Sequence, residues 1–192
     1  MARNPDRKEI THERIVRAAA RAIRKHGYER LGVAEVMKEA GLTHGGFYAH
    51  FESRDALLAE AADLAGAESA DTLQRAIRRA KPGQELDAIV DAYLDDRHTE
   101  VREHGCAIAA AGSDVPRQPE AVRRATTHRI KELFGLIERQ LPDWGKAAAH
   151  EKAMAIFSSL LGAIVLARAV DDPQLSKTIR KSVRELVRAT AR

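Results

Sequence analysis

Apolar residues recur at helical spacing along most of this sequence, and no stretch has the alternating pattern typical of a strand. The repeat is clear over residues 8–26, where Ile15, Ala19 and Ile23 share one face. A row of arginines lies beside that face, at Arg14, Arg17, Arg21 and Arg24. Six prolines punctuate the chain and leave long intervals without helix breakers, and aromatic residues make up only 4%. The pattern therefore predicts an all-α protein of about nine helices.

Glycines and short polar residues mark the ends of several predicted helices. Gly27 and Gly41 follow two of them, at the position where glycine commonly ends a helix. Thr43 and Ser53 stand where a polar side chain can cap the helix that follows. The predicted helices span residues 8–26, 33–40, a short segment after 43, 55–80, 85–103, 106–112, 119–140, 144–170 and 174–189.

The positive charge of the chain is concentrated near its beginning. The net charge is +4; residues 1–54 contain 11 Lys and Arg against 7 Asp and Glu, and the remaining residues contain 21 of each. A local basic surplus indicates either a polyanionic partner or a basic face that is only solvated. Charge alone leaves both interpretations open.

Residues 33–51 have the pattern of a helix-turn-helix motif. Two short predicted helices flank a tight turn at Gly41, Leu42 and Thr43, where glycine supplies a conformation that other residues resist. In such motifs the second helix enters the major groove of DNA with its leading end forward. The residues at that end are Thr43, His44, Gly45 and Gly46.

With this motif, the chain resembles the TetR family of bacterial transcriptional regulators over essentially its whole length. The matching positions are Ile15, Ala18-Ala19, Gly27-Tyr28, Gly41-Leu42-Thr43, Gly45, Tyr48, His50-Phe51, Ser53-Arg54-Asp55 and Leu57. The resemblance implies a DNA-binding domain over residues 1–54 and a ligand-binding and dimerisation domain over residues 55–192. It further implies a homodimer on double-stranded operator DNA, and most typically a repressor released by a small-molecule effector.

The resemblance also implies roles for single residues. Tyr48 and His50 are expected to contact the DNA backbone, with Tyr48 braced by the helix that begins at residue 55. Arg54 stands where the family usually has lysine, and its charge is expected to strengthen a helix N-terminus that faces a phosphate. Thr43 and His44 are expected to reach base edges or the flanking backbone, and the neighbouring Gly45 to allow close approach to DNA.

Three departures from the family pattern leave this surface sparse. Gly46 stands where a threonine is frequent, Gly32 replaces a common Ser or Thr cap, and Met37 replaces a small alanine. Because few hydrogen-bonding side chains remain, part of the specificity is expected to come from the shape of the DNA.

The last two predicted helices carry more apolar surface than one core-facing stripe needs, and the resemblance assigns them to a dimer interface. Two helices from each protomer would form a four-helix bundle. The predicted interface residues are Phe157, Leu160, Leu161, Ile164, Ile179, Val183 and Leu186. Without the resemblance, the same residues could equally well form the core of a single protomer.

An effector pocket is implied by the resemblance alone, among the predicted helices 85–103, 106–112 and 119–140. Its predicted lining is Tyr93, Cys106, Ile108, Phe134, Ile137 and Phe157. Large and medium apolar side chains mixed with small ones suit a small hydrophobic ligand, and they suit a plain core equally well.

Signatures of other functions are missing from the sequence. It has none of the common hydrolase, nucleotide-binding or zinc-protease motifs, so we predict neither an enzyme nor a cofactor. The residues His98, His104 and Cys106 lack a fourth ligand for zinc. A single cysteine, no signal peptide, and an apolar stretch over 153–170 that is too short and mixed to span a membrane predict a cytoplasmic protein.

Two alternatives to an effector-released repressor stay open at this point. Cys106 could act as a thiol sensor of oxidants or electrophiles, although free cysteines are usually small core residues. The chain could also be a helical adaptor that binds a protein partner and no DNA. The adaptor interpretation does not account for the basic first quarter or for the helix-turn-helix pattern.

Overall fold

The computed structural model describes residues 7–100 and 105–190, and those residues form helices and short connections without a strand. The α-helices within the described ranges are α1 (Arg7–His26), α2 (Val33–Glu39), α3 (Arg54–Arg79), α4 (Glu85–Tyr93), α5 (Asp96–Glu100), α6 (Ala107–Ala111), α7 (Glu120–Glu138), α8 (Ala147–Ala169) and α9 (Pro173–Thr190). Two 3₁₀ helices cover His44–Ala49 and Gly112–Arg117. The prediction of an all-α protein is confirmed.

The helix ends follow the local chemistry at most of the predicted positions. Gly27 and Gly41 adopt φ of 77° and 68°, the left-handed conformation that glycine takes at least cost. The Ser53 hydroxyl accepts a hydrogen bond of 3.1 Å from the Ala56 amide, which caps α3. Thr43 stands at the predicted cap position before residue 44 but makes no capping bond through its side chain.

The helix predicted over residues 85–103 is interrupted, and that prediction is wrong as a continuous helix. α4 ends at Tyr93, and α5 starts anew at Asp96. The Asp95 carboxylate accepts a hydrogen bond of 2.8 Å from the Arg97 amide, so it caps the new helix. The Leu94 carbonyl, released at the break, accepts a bond of 3.1 Å from Nη1 of the buried Arg180 on α9. Residues 101–104 of the predicted helix lie outside the described residues.

Two apolar cores follow one another along the molecule. The first joins α1, α2 and the 44–49 segment to the first half of α3, and it also takes in Ala107, Ala111 and Val122. The second joins the later part of α3 to α4, α7, α8 and α9. Since α3 has 26 residues and contributes to both cores, it is the structural link between the two ends of the molecule. The domain boundary at residue 54 stays a prediction, because the first core draws on α3 as far as Ala65.

α3 and α7 cross closely at a glycine. A Cβ atom on Gly66 would lie 2.4 Å from Cγ of Arg129, so only glycine leaves room for that arginine. Arg129 donates bonds of 2.8 and 2.6 Å to the two carboxylate oxygens of Asp63, and a third of 2.7 Å to Glu132. These bonds raise the pKa of the arginine above its ordinary value and fix its side chain across the crossing.

Helix α8 has 23 residues and is apolar enough to span a bilayer by length and composition. The expectation that this stretch is too short is therefore wrong. Its apolar character has another physical explanation, because α8 packs against α7 on one side and α9 on another. Ala153, Phe157, Leu160 and Ile164 form its buried face.

Candidate nucleic-acid interface

Residues 33–51 fold into a compact helix-turn-helix. The Leu42 amide donates to the Met37 carbonyl at 2.8 Å, which closes the turn after α2. Val36, Met37 and Phe47 are at most 2% exposed, and they pack in the first core together with α1. Burial of these three side chains fixes the orientation of the 44–49 segment relative to α1.

The short helix predicted after residue 43 is a 3₁₀ helix over residues 44–49. Two adjacent glycines, Gly45 and Gly46, lower the helix propensity of this short stretch. Thr43, His44 and Gly45 are exposed at its leading end, as the prediction requires for contact with a groove. No hydrogen bond within the described residues engages the side chains of Thr43 or His44.

Gly45 and Gly46 have no internal reason to be glycine. Neither has a positive φ, and a Cβ atom on Gly45 would meet nothing within 4 Å. A Cβ atom on Gly46 would meet Cε of Met37 at 3.7 Å, which is ordinary contact. The absence of side chains here therefore makes room on the outside of the molecule.

Tyr48 projects from the surface with 74% of its area exposed. Its ring contacts the edge of Phe47, with ring centroids 5.2 Å apart. The expected bracing of Tyr48 by the helix after residue 54 stays a prediction. The phenolic hydroxyl is free to approach a phosphate.

His50 lies between the surface and the first core. Its Nδ1 atom is buried without a hydrogen-bond partner. Partial desolvation, with the nearby His12 and Lys8, lowers the pKa of His50 below its ordinary value. The His12 ring stacks on Phe51 at 4.4 Å between centroids and donates a bond of 2.6 Å to Glu60. Two imidazoles thus sit side by side beneath the predicted DNA face.

Arg54 is partly buried at the start of α3, where its guanidinium bonds to backbone carbonyls. Its Nη2 donates to the Tyr28 carbonyl at 2.9 Å and to the Leu31 carbonyl at 3.3 Å. Nε donates to the same Leu31 carbonyl at 3.3 Å. These bonds tie the connection between α1 and α2 to α3, so the arginine positions the helix-turn-helix in addition to any charge that it presents to a phosphate.

The arginine row of α1 is largely engaged within the molecule. Arg24 is 4% exposed and donates to Glu68 at 2.6 Å, and Arg21 donates to Glu39 at 2.9 Å. Arg17 pairs with Glu13 at 3.7 Å. The exposed basic residues of the first 54 that make no ion pair within the described part of the chain are Arg7, Lys8, Arg14, Arg30 and Lys38.

The six residues predicted to line an effector pocket gather in the second core. Phe157 lies 5.8 Å from Tyr93 and 5.7 Å from Phe134, between ring centroids. Ile108 and Phe134 are partly buried, and the other four are at most 2% exposed. Five surface clefts of about 350–550 Å³ lie elsewhere, and none of the five is lined by these side chains. Binding of an effector here stays a prediction.

Three of the residues predicted for the dimer interface face the interior of the protomer. Phe157, Leu160 and Ile164 are at most 2% exposed, because they repeat at the spacing of the buried face of α8. Leu161, Ile179 and Val183 are partly buried, and Leu186 is 56% exposed. Other apolar residues also stand at the surface of the same two helices, namely Val165, Leu166 and Leu175, and of these the sequence prediction missed Leu166.

Cys106 is completely buried at the start of α6. Its backbone amide donates a bond of 3.0 Å to Nε2 of His98. Because the thiol has no contact with solvent, an electrophile would reach it only after this region opened. The described residues hold no group of three possible metal ligands, and the third residue considered for such a group, His104, lies outside them.

Both halves of the chain match known protein families. Residues 15–61 match the bacterial regulatory proteins of the tetR family, and residues 82–182 match the C-terminal domain described as transcriptional regulator LmrA/YxaF-like. An uncharacterized HTH-type transcriptional regulator of Mycobacterium tuberculosis, Rv0196, is 32% identical over 190 residues, which cover 92% of this chain and 94% of that protein. The regulator YerO of Bacillus subtilis is 37% identical over 51 residues, 27% of this chain and 18% of its own.

Solved structures show the same fold at lower identity. Reduced NemR of E. coli has a TM-score of 0.77 and 18% identity, over 95% of this chain and 97% of its own. A TetR-family regulator from Agrobacterium tumefaciens also has a TM-score of 0.77 and 18% identity, over 93% of this chain and 97% of its own. A TetR transcriptional regulator from Legionella pneumophila has a TM-score of 0.77 and 19% identity, over the whole of both chains.

An exposed helix-turn-helix on an otherwise helical scaffold defines a DNA-binding protein. The family matches and the relative from Mycobacterium tuberculosis extend that assignment to the whole chain. The chain belongs to the TetR family and is a TetR-type DNA-binding transcriptional regulator.

Proposed function

We propose that this regulator is a homodimeric repressor that leaves its operator when a small molecule binds the second core. The observation that carries the DNA-binding part is the exposed end of the 44–49 segment. There Thr43, His44 and Tyr48 are turned outward, and glycines remove side chains that the fold would tolerate. Thr43 and His44 read base edges, while Tyr48 and His50 contact the backbone.

A two-fold dimer through α8 and α9 is supported by the apolar residues that these helices leave at the surface. On α8 they are Val165 and Leu166, 45% and 56% exposed; on α9 they are Leu175 and Leu186, 45% and 56% exposed. On α9 the two leucines are eleven residues apart, close to three helical turns, so they share a face. Pairing with the same helices of a second copy would bury both faces in a four-helix bundle.

Release of DNA requires a physical link between the second core and the helix-turn-helix, and α3 supplies one. Its 26 residues span about 39 Å, and the part from the Arg54 bonds beside the helix-turn-helix to Leu73 in the second core covers about 29 Å. A second link joins the α1–α2 connection to the 3₁₀ helix 112–117, where Arg117 pairs with Glu29 at 3.4 Å. A ligand that shifts α3 or α7 would change the separation of the two helix-turn-helix motifs in the dimer. A coupling free energy of about 1–3 kcal/mol between ligand and DNA binding would be enough to release the operator.

A dimer bound at the promoter represses transcription because it excludes the polymerase. It acts on the bacterial chromosome in the cytoplasm. The family and the fold are those of regulators, and we assign the chain no enzymatic activity. The complete burial of Cys106 weighs against a thiol sensor. A Cys106→Ser protein is expected to release DNA as the parent does; loss of release only in that variant would favour the sensor.

The proposal is tested by selecting fragments from randomised duplex DNA with the purified protein. A dimer with two-fold symmetry is expected to enrich a palindrome whose half-sites are about one helical turn, or a multiple of it, apart. Enrichment of a single half-site without symmetry would contradict the dimer. Failure to enrich any sequence, with a monomer in solution, would favour the adaptor interpretation.

A further inference from the structure

The Tyr93 hydroxyl is a buried donor without a partner. The residue is 1% exposed, and its oxygen has no hydrogen-bond partner within the described residues. The Cys106 thiol is its polar neighbour but does not form a hydrogen bond with ordinary geometry. Buried hydroxyl groups are nearly always paired, and an unpaired one in a native protein requires an explanation.

Aromatic side chains surround the Tyr93 ring at the end of α4. The Tyr93 ring lies 4.7 Å from His98 and 5.8 Å from Phe157, between centroids, and Phe134 continues the row beyond Phe157. The helix break at Leu94 follows immediately, so the backbone here is not held by a continuous helix. The partly exposed Phe134 places one end of the row near the surface.

The Tyr93 phenol and the neighbouring His98 ring are both uncharged near neutral pH, and the guanidinium of Arg168 is a charge that acts on both. Burial, together with the Cys106 thiol, raises the pKa of Tyr93 well above its ordinary value, so the phenol keeps its proton. Burial and the charge of Arg168 lower the pKa of His98 to about 4, so its ring is neutral. Nη2 and Nε of Arg168 donate to the carbonyls of His98 at 2.6 Å and Thr99 at 3.1 Å.

We propose that the Tyr93 hydroxyl is the effector's hydrogen-bond donor, and that the effector is an uncharged, largely apolar molecule with a carbonyl or similar oxygen acceptor. This inference rests on the proposed function, because it names the chemistry of the ligand that the second core would take. The aromatic rings of Phe134 and Phe157 receive the apolar body, and the oxygen accepts from Tyr93. A charged ligand is not expected, because Arg168 already donates to the His98 and Thr99 carbonyls and the Tyr93 hydroxyl, as a single neutral donor, would not offset the cost of burying the ligand's charge.

The first test is the melting temperature of Tyr93→Phe. Removal of an unpartnered buried hydroxyl is expected to raise the melting temperature by about 2–4 °C, because the folded protein loses only an unsatisfied polar group. Tyr28→Phe is the matched control: Tyr28 is also buried, and its hydroxyl faces Thr126, so its melting temperature should stay or fall. A lower melting temperature for Tyr93→Phe would mean that the hydroxyl is already paired, which would overturn the proposal.

The second test measures binding of acetophenone, ethylbenzene and benzoate to the full chain by calorimetry. Acetophenone and ethylbenzene have similar size, and only the first has an acceptor oxygen. The parent protein is expected to bind acetophenone about tenfold more tightly than ethylbenzene, and Tyr93→Phe to bind both equally. Equal binding by the parent, or no binding of either compound, would overturn the proposal, as would tighter binding of benzoate.

A gel-shift assay separates this inference from the proposed function. If acetophenone binds through Tyr93 while operator affinity stays constant, the ligand site stands and effector release is wrong. If the protein binds no DNA even without ligand, the proposed function fails and the calorimetric result still decides the role of Tyr93.

Discussion

Gly45 is a residue whose identity the protomer itself does not explain, since a side chain there would meet nothing within 4 Å. Gly45→Ala is therefore expected to leave stability unchanged or to raise it by about 0.4–1 kcal/mol, because the unfolded chain loses freedom. The same variant is expected to bind operator at least tenfold more weakly, because the added methyl group separates the 44–49 segment from the DNA. Thermal unfolding and fluorescence anisotropy measure the two effects. Unchanged DNA affinity in a stable variant would assign Gly45 no role at the interface.

Tyr48 and His44 separate contacts with the DNA backbone from contacts with bases. Tyr48→Ala is expected to weaken binding on all duplexes alike, because a phosphate contact carries no sequence information. His44→Ala is expected to change the preferred base at one position per half-site and to cost about 1–3 kcal/mol on the original operator. Repeating the randomised-duplex selection with each variant distinguishes the two. Parent-like binding by both variants would mean that the reading head is assigned wrongly.

Single residues also show where sequence reasoning succeeds and where it fails. The turn glycine Gly41 and the cap at Ser53 act within a few residues of themselves, so their roles follow from local chemistry. Arg54 was predicted to face a phosphate, and its bonds to Tyr28 and Leu31 join residues more than twenty positions apart. No local pattern in the sequence reports such a contact.

Among the elements, α5 carries a group that makes stability depend on pH. The pKa of His98 is about 4 in the folded protein, below its ordinary value of 6.5. Above pH 6.5 the ring is neutral in both states, and between 6.5 and 4 only the unfolded chain takes up the proton. Stability is therefore expected to fall as the pH drops through this window, by about 3 kcal/mol.

His98→Gln is the control for this prediction, since the glutamine side chain can still accept the hydrogen bond from the Cys106 amide and does not titrate. The variant is expected to show a shallower loss of melting temperature between pH 6.5 and pH 4 than the parent. Parallel curves for the two proteins would mean that other groups account for the acid sensitivity.

The elements themselves were predicted well wherever glycine, proline or a cap marks an end. The helix predicted over residues 8–26 spans Arg7–His26 in the structure, and the helix predicted over residues 55–80 spans Arg54–Arg79. The break between α4 and α5 was missed, because the Leu94 carbonyl is stabilised by Arg180, 86 residues further along the chain. The 44–49 segment was predicted as a short helix, and it is a 3₁₀ helix whose two glycines lower its α-helical propensity.

At the scale of the whole molecule, the account depends on a dimer through α8 and α9. Leu166→Glu is expected to yield a monomer, because a carboxylate would be buried without a partner in the four-helix bundle. Ile10→Glu is the matched control: Ile10 is 53% exposed and lies on α1, so its variant should remain a dimer. Light scattering measures the mass. A dimeric Leu166→Glu protein would place the interface elsewhere.

The sequence predicted that the last two helices form the interface, but it could not tell their two faces apart. α8 is apolar all round, so periodicity does not separate Leu160, which is buried in the protomer, from Leu166, which is exposed. The packing of α7, α9 and the shorter helices α5 and α6 against α8 decides which side is core. The fold and the helix-turn-helix were thus within reach of the sequence, and the surfaces that serve partner and ligand were not.

The most direct test of the central claim compares the selected palindrome with the same duplex carrying one scrambled half-site. Anisotropy titrations over a decade of salt give the affinity and its salt dependence for both duplexes. A dimer that reads two half-sites is expected to lose at least about 100-fold in affinity on the scrambled duplex, and log affinity should fall by about 0.9 per phosphate contact for each decade of salt. Equal affinity for both duplexes, or binding that salt does not weaken, would contradict a dimeric regulator that recognises its operator through the 44–49 segments.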